Sequence, residues 1–426
     1  MVDDYVSGIL CALSPDNDTG PYVHIYPILT VALGLTCSLA ASQAMGQLRV
    51  DLSSQNREWG YATLQEASEG LYGVRSGMAA ENLQGVRCSE GGELSAVEGR
   101  VVVPRNCGDL NWEFHLKPYP VEGVMASGQL SWYSDAPNRW IISEGDVILQ
   151  GPGMGAATGV SFFLDGRPLE IRAGPRRLPA LNQAPGFWLL GHPVHVDKGS
   201  IRHFFDRETI PRHLAGLLDS HSAGIGYLLE MLPPAELPPV FWMGLAEWRL
   251  SVGGAAGTGL VLANYPLRAR DFDRRAYAIT LYVVLHEHGH HLFDGTGPLW
   301  IGESLASYLA IKAIRETAPE IYSVVEEAFI APGLAIETPL PVLGERAAAG
   351  DGHAYTQVYM GAAFWMAIDD AMVGQGGHGS FLQALPDALA RGFTSGGAPR
   401  PKEIAQVTGL APGTLNPILD RYLGTE

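Results

Sequence analysis

From about Gln47 to Val196 the apolar positions come in short runs: GRVVVP, LNWEFHL, QLSWYS, RWIISEGDVILQ, VSFFLDGRPLEIRA and FWLLGHPVHV. Gly-Pro, Asp-Gly and Pro-Asn pairs punctuate them. β-branched and aromatic residues bounded by turn formers predict strands, so this half reads as β-rich. Around Asp206 the period changes. In ETIPRHLAGLLDSHSAGIGYLLEML apolar residues recur at helical spacing up to the breaker Pro233-Pro234. Two more strand-like runs, PVFWMGLAEWRL and TGLVLANY, follow, joined by the Gly-rich SVGGAAG, and everything after Asp271 reads as helices. The expectation is an α+β chain: a β-rich domain over 45–200, and a second domain over 201–426 that becomes largely helical toward its end.

Composition adjusts this picture in three places. At 426 residues the chain is longer than one typical domain of about 100–200 residues, which favours two. The formal charge of −17, with 28 Lys+Arg against 45 Asp+Glu, leaves no basic stripe for phosphate backbones, so nucleic acid is not expected as a partner. The N-terminal apolar stretch ILTVALGLTCSLAA, followed by Ser42-Gln43-Ala44, has the form of a secretory h-region and a small-x-small cleavage site. It is short for a bilayer span of about 20 residues, so no stable transmembrane span is expected. Residues 1–44 are therefore read as a leader, with mature protein exported to the periplasm or beyond. The acidic segment ahead of the stretch, which carries no Lys or Arg, keeps a buried strand or helix open as the alternative. Loss of a leader would remove Cys11 and Cys37 and leave Cys88 and Cys107, an even pair suited to a disulfide in an oxidising compartment, or else two unrelated thiols.

The chemistry concentrates in DFDRRAYAITLYVVLHEHGHHLFDGTG. Acidic residues at its start, helical apolar spacing and Gly295 as a stop predict a helix from about Asp273 to Phe293. His286, Glu287 and His290 form HExxH on it. Residues at i and i+4 share one face, so both imidazoles can reach one tetrahedral ion at about 2.0–2.1 Å. Glu287, beside the first histidine, is placed to take a proton from a water at the metal without binding the metal itself. A third protein ligand is needed if a position is to stay open for water. Glu303 supplies it from a second helix, Trp300–Glu316, that the turn Gly295-Thr296-Gly297-Pro298 folds back antiparallel.

The stretch HEHGHHLFDGTGPLWIGESLASYLA resembles the gluzincin metallopeptidases, in which HExxH is followed by W-x-x-E-G-x-A-x-Y. Trp300, Glu303, Ala306 and Tyr308 match that second motif, with Ser304 where the family usually has Gly. A β-rich N-terminal domain and a strand pair ahead of HExxH resemble the glycyl aminopeptidase (M61) and M1 aminopeptidase families. Twelve residues separate His290 from Glu303, fewer than in M1 enzymes. The resemblance implies one zinc per chain held by His286, His290 and Glu303, with peptide or protein substrates. It also implies an aminopeptidase-like hydrolase in which Glu287 is the base; endopeptidase action stays open, and a non-catalytic zinc-binding scaffold is the alternative.

Two further roles come from the same resemblance. A Tyr on a later helix, just before a Gly, serves the oxyanion in these families; AYTQVYMGAAFW offers Tyr359, two residues before Gly361, and Tyr355 one turn earlier. A catalytic role for one of them stands beside a plain core role for both. The run Gly257-Thr258-Gly259 occupies the place of the strand whose edge binds substrate backbone, a simple edge strand being the other reading. His288 and His291 lie off the ligand face. His353 is expected to be satisfied by backbone near a helix start, and Ser307, one turn past Glu303, to support a ligand histidine or merely pack.

Overall fold

The computed structural model describes residues 46–424, apart from 76–82, 98, 120–124, 135–138, 182, 233–234, 248–252, 294–296, 375–378, 391–392 and 394–400. The leader segment, the small-x-small site and the Pro233-Pro234 breaker lie outside the described residues.

The β-type runs form three sheets in the N-terminal half: one of seven strands, one of five and one of three. In the seven-stranded sheet the first strand, Gln47–Leu52, pairs parallel with Gly159–Leu164 and antiparallel with Trp59–Leu64. Alternating burial along these strands, as in Leu48, Val50 and Leu52, sends every second side chain into one core. Cys88 and Cys107 are joined in a disulfide within it. Two runs break where continuous strand was expected. RWIISEGDVILQ is a strand only over Arg139–Ser143; a short helix, Glu144–Val147, follows because the buried Glu144 carboxylate accepts the Gly186 N–H at 2.6 Å. FWLLGHPVHV splits at His192-Pro193 into Phe187–Gly191, which pairs within the N-terminal five-stranded sheet, and Val194–Lys198, which does not.

Val194–Lys198 instead opens a second five-stranded sheet, in which Ile201–Phe205, Val240–Leu245 and Leu260–Pro266 run parallel and Gly254–Gly257 closes the far edge antiparallel. The run SVGGAAG, expected as a bare connection, thus contributes a strand. The faces of the two five-stranded sheets share a small core around Trp132, Phe187, Phe204, Phe241 and Leu262. Helices cover the other face, beginning with Ala215–Met231. The helix predicted over 273–293 spans Arg274–Gly289, capped by Asp273, whose carboxylate accepts from Ala276 N–H. It ends one turn earlier than expected, at Gly289-His290. The next helix runs Leu299–Thr317 and packs along it within the largest core of the molecule. No helix among the described residues is long and apolar enough to cross a membrane.

Candidate active site

The HExxH helix and the Glu303 helix touch at Gly289, where an added methyl would meet the Ala306 backbone at 3.1 Å. That approach lets Glu303 reach both histidines. His286 Nε2 lies 3.1 Å from His290 Nε2 and 3.2 Å from Glu303 Oε2, and His290 Nε2 lies 3.4 Å from the same oxygen. Ligands 2.0–2.1 Å from the centre of a tetrahedron stand about 3.3–3.4 Å apart, so three donors at these separations suit one small cation of zinc type. They are the only such group of three found among the described residues. Burial alone would raise Glu303, but His290 and the hydrogen bonds from both imidazoles outweigh it and hold the carboxyl well below its ordinary range. Burial opposes charge on both rings; it lowers His286, whereas the Glu303 carboxylate raises His290 despite it.

Glu287 is 8% exposed and does not join the cluster. Burial pushes its carboxyl up to about 8, with the His290 charge and an N–H bond from Ala256 acting the other way. It lies against the edge strand: a methyl built on Gly254 would stand 2.5 Å from Glu287 Cγ and 2.7 Å from Oε1. Only glycine leaves room there for the carboxylate. Glu287, His290, Glu303, Tyr355, Tyr359 and the edge strand line a cleft of about 1150 Å³.

The helix Gly352–Met360 closes another side of the cluster. Tyr355 Oη donates to Glu303 Oε1 at 3.2 Å, Tyr359 Oη donates to Tyr355 Oη at 3.2 Å, and the Tyr359 ring stands 4.9 Å from that of His286. Both tyrosines are therefore at the site, not merely in the core. Ser304, the departure from the W-x-x-E-G pattern, accepts the Trp365 indole N–H at 2.8 Å and ties the following helix to the Glu303 helix. His353 is exposed, its main-chain N–H bonded to Asp351.

Thr258 and Gly259 border the cleft and Gly257 does not, and the backbone of Thr258 is committed elsewhere. Thr258 N–H donates to Pro185 O at 2.9 Å and Thr258 O accepts from Phe187 N–H, while Gly257 presses on the Phe187 ring and Gly259 on Gly174. The strand backbone nearest Glu287 is that of Gly254–Ala256. Gln129, from the N-terminal half, also lines the cleft with its backbone at φ 49, a left-handed conformation uncommon outside glycine. It has no sequence motif around it, and no sequence signal singled it out.

His288 lies on the opposite face of its helix, fully buried. Its Nε2 lies 2.9 Å from Pro238 O and its Nδ1 lies 3.0 Å from His221 Nε2; beyond His221 comes His203, which accepts from the Trp242 indole. Carbonyl and indole have fixed roles, so His288 donates through Nε2 and His203 accepts through Nδ1. Burial keeps all three neutral, lowering His203 to about 3, His288 to about 4 and His221 well below the ordinary value. His291, also depressed by burial to about 3, lines the cleft.

No protein-family model matches the chain, and no curated protein matches it. Solved structures do. An aminopeptidase N family protein from Idiomarina loihiensis superposes with a TM-score of 0.57 at 13% identity, over 89% of this chain and 74% of that one. LTA4 hydrolase from yeast superposes with 0.52 at 11% identity, over 89% and 67%. The fold is thus the one that these two structures share, a β-rich N-terminal part followed by a largely helical part, as expected from the sequence.

Proposed function

We propose that the chain is a zinc-dependent peptidase that binds one zinc through His286, His290 and Glu303 and uses Glu287 as its base. The observation that carries this reading is the three-donor cluster at tetrahedral spacing with the buried Glu287 beside it but outside it, and with Glu287, His290 and Glu303 lining one cleft. Zinc, when bound, supplies a Lewis acid that polarises the scissile carbonyl and acidifies water. Glu287 takes the proton of the attacking water as its oxygen bonds to the carbonyl carbon, and passes it to the leaving nitrogen. The Gly254–Ala256 edge, with Gly257–Gly259 at its turn, lies along the cleft for an extended peptide to pair with. Tyr355 donates to the charged Glu303, the stronger commitment, whereas Tyr359 donates only to a neutral hydroxyl. Tyr359 is thus the hydroxyl free to turn to the developing oxyanion. Aminopeptidase-like action is the reading that the fold neighbours support. An oxidising, exported location is supported by the Cys88–Cys107 disulfide.

The test is Glu287→Gln, which keeps shape and ligands but accepts no proton. Activity on a panel of aminoacyl and internally quenched peptides should fall by about 10²–10⁴-fold while zinc content stays near one per chain. Wild type that holds zinc and cleaves nothing would leave the zinc-binding scaffold as the better reading.

A further inference from the structure

His286 is held from behind as well as in front. Its Nδ1 lies 3.1 Å from Ser307 Oγ, and Ser307 Oγ accepts from Tyr282 Oη at 2.8 Å. All three side chains are buried. Tyr282 stands one turn before His286 on the HExxH helix, and Ser307 one turn after Glu303 on the neighbouring helix, so the contact spans the same helix pair that holds the donor cluster. The Tyr282 ring lies flat against Phe329, centroids 3.8 Å apart at 22°, which fixes where its hydroxyl points.

Donor and acceptor counting gives this arrangement a specific ability. Tyr282 spends its proton on Ser307 Oγ, so the serine keeps its own hydrogen and a second lone pair. When His286 carries its proton on Nε2, facing Glu303 Oε2, Ser307 donates to Nδ1. When the Nε2 lone pair is given to a cation, the proton sits on Nδ1 and Ser307 accepts it. A carboxylate there could only accept, and would add a buried charge. A hydroxyl serves both tautomers without moving the ring.

We propose that Ser307 and Tyr282 are positioning residues for the metal ligand His286: Tyr282 orients the Ser307 hydroxyl, and Ser307 keeps Nε2 aimed into the donor cluster in either tautomer. This rests on the zinc-peptidase reading above. Supporting groups of this kind are typically worth about 10–100-fold in metal affinity. The Tyr282 ring also stands 5.9 Å from that of His286, a contact that Tyr282→Phe keeps; its hydroxyl bonds to the Ser307 oxygen, so the hydroxyl's effect vanishes once that oxygen is gone.

The experiment measures zinc affinity by chelator competition for the parent, Ser307→Ala, Tyr282→Phe and the double variant, with far-UV circular dichroism and urea unfolding of each zinc-free chain. Ser307→Ala should weaken zinc by about 10–100-fold. Tyr282→Phe, which keeps the stack on Phe329, should weaken it less. The double variant should bind as Ser307→Ala does, a non-additivity that general loosening of the helix pair would not produce. Should Ser307→Ala fail to fold, Tyr282→Phe decides, since zinc affinity equal to the parent's overturns the proposal. Losses that multiply in the double variant, or parental affinity in Ser307→Ala, also overturn it. A parent that takes up no metal overturns the peptidase reading itself and this proposal with it.

Discussion

The contact between Gly254 and Glu287 allows the base to be displaced without touching it chemically. In Gly254→Ala the new methyl would stand 2.5 Å from Glu287 Cγ, whereas ordinary contact begins near 3.4 Å, so the two groups must separate by about 0.9 Å. The strand has little freedom to yield. Four of its residues pair with Leu260–Val261–Leu262–Ala263, and its turn is bonded to the N-terminal half. The Glu287 side chain yields instead. A misplacement of about 1 Å in a catalytic group costs on the order of 10²-fold in rate, or about 3 kcal/mol of transition-state stabilisation. The three atoms nearest the methyl all belong to Glu287 and none to His286, His290 or Glu303, so zinc should be retained. Initial rates with a quenched peptide, alongside zinc content, read both quantities. The stronger check is Gly254→Ala combined with Glu287→Gln: with the base already removed, the methyl should cost almost nothing more. A Gly254→Ala enzyme with parental kcat, or one that slows the Glu287→Gln variant by a further 10²-fold, would refute the idea that the glycine acts through Glu287.

Other outcomes follow from the same geometry. Tyr359→Phe should lower kcat with little change in KM, while Tyr355→Phe should chiefly weaken zinc binding through Glu303; the opposite pattern in kinetics and chelator competition would exchange their roles. His203 and His221 have folded pKa values far below the ordinary 6.5, so the stability tied to their neutral forms is present above pH 6.5 and lost as pH falls. At pH 5.5 His203 alone should cost about 1.4 kcal/mol, with His221 acting in the same direction, visible as a lower urea midpoint in chelator-treated protein; a midpoint unchanged between pH 7.5 and 5.5 would contradict it. Replacing Cys88 and Cys107 by Ser opens a link across a sequence separation of 19, worth about 3 kcal/mol by loop entropy, and should lower the unfolding midpoint under non-reducing conditions.

What the sequence revealed and hid divides along physical lines. HExxH and Glu303 were legible because helical spacing is local: i and i+4 share a face whatever surrounds them, and Gly and Pro between the two runs mark where one helix stops and the next begins. The pair Cys88 and Cys107 could be read only by assigning Cys11 and Cys37 to a leader. The strand Gly254–Gly257 could not, since glycine and alanine have no strand propensity. It forms because Leu260–Pro266 offers a ladder and because Glu287 and Phe187 leave room for nothing larger than a hydrogen atom at Gly254 and Gly257. RWIISEGDVILQ hid its helical turn for a similar reason, as the Gly186 N–H that Glu144 accepts comes from 42 residues away. Gln129 reaches the cleft through tertiary placement, which no local pattern encodes.

The bridge between Thr258 and Gly186 bears on how such a chain can be rearranged. Through it the wall of the cleft borrows its position from Pro185–Phe187, far upstream. A shuffled gene that joined this C-terminal half to a different β-rich partner would keep every motif residue from His286 onward and still lose the support under the strand that faces Glu287. The smallest inheritable unit of the site is therefore larger than its signature, and must include the segment from Ala184 to Phe187 together with the HExxH helix.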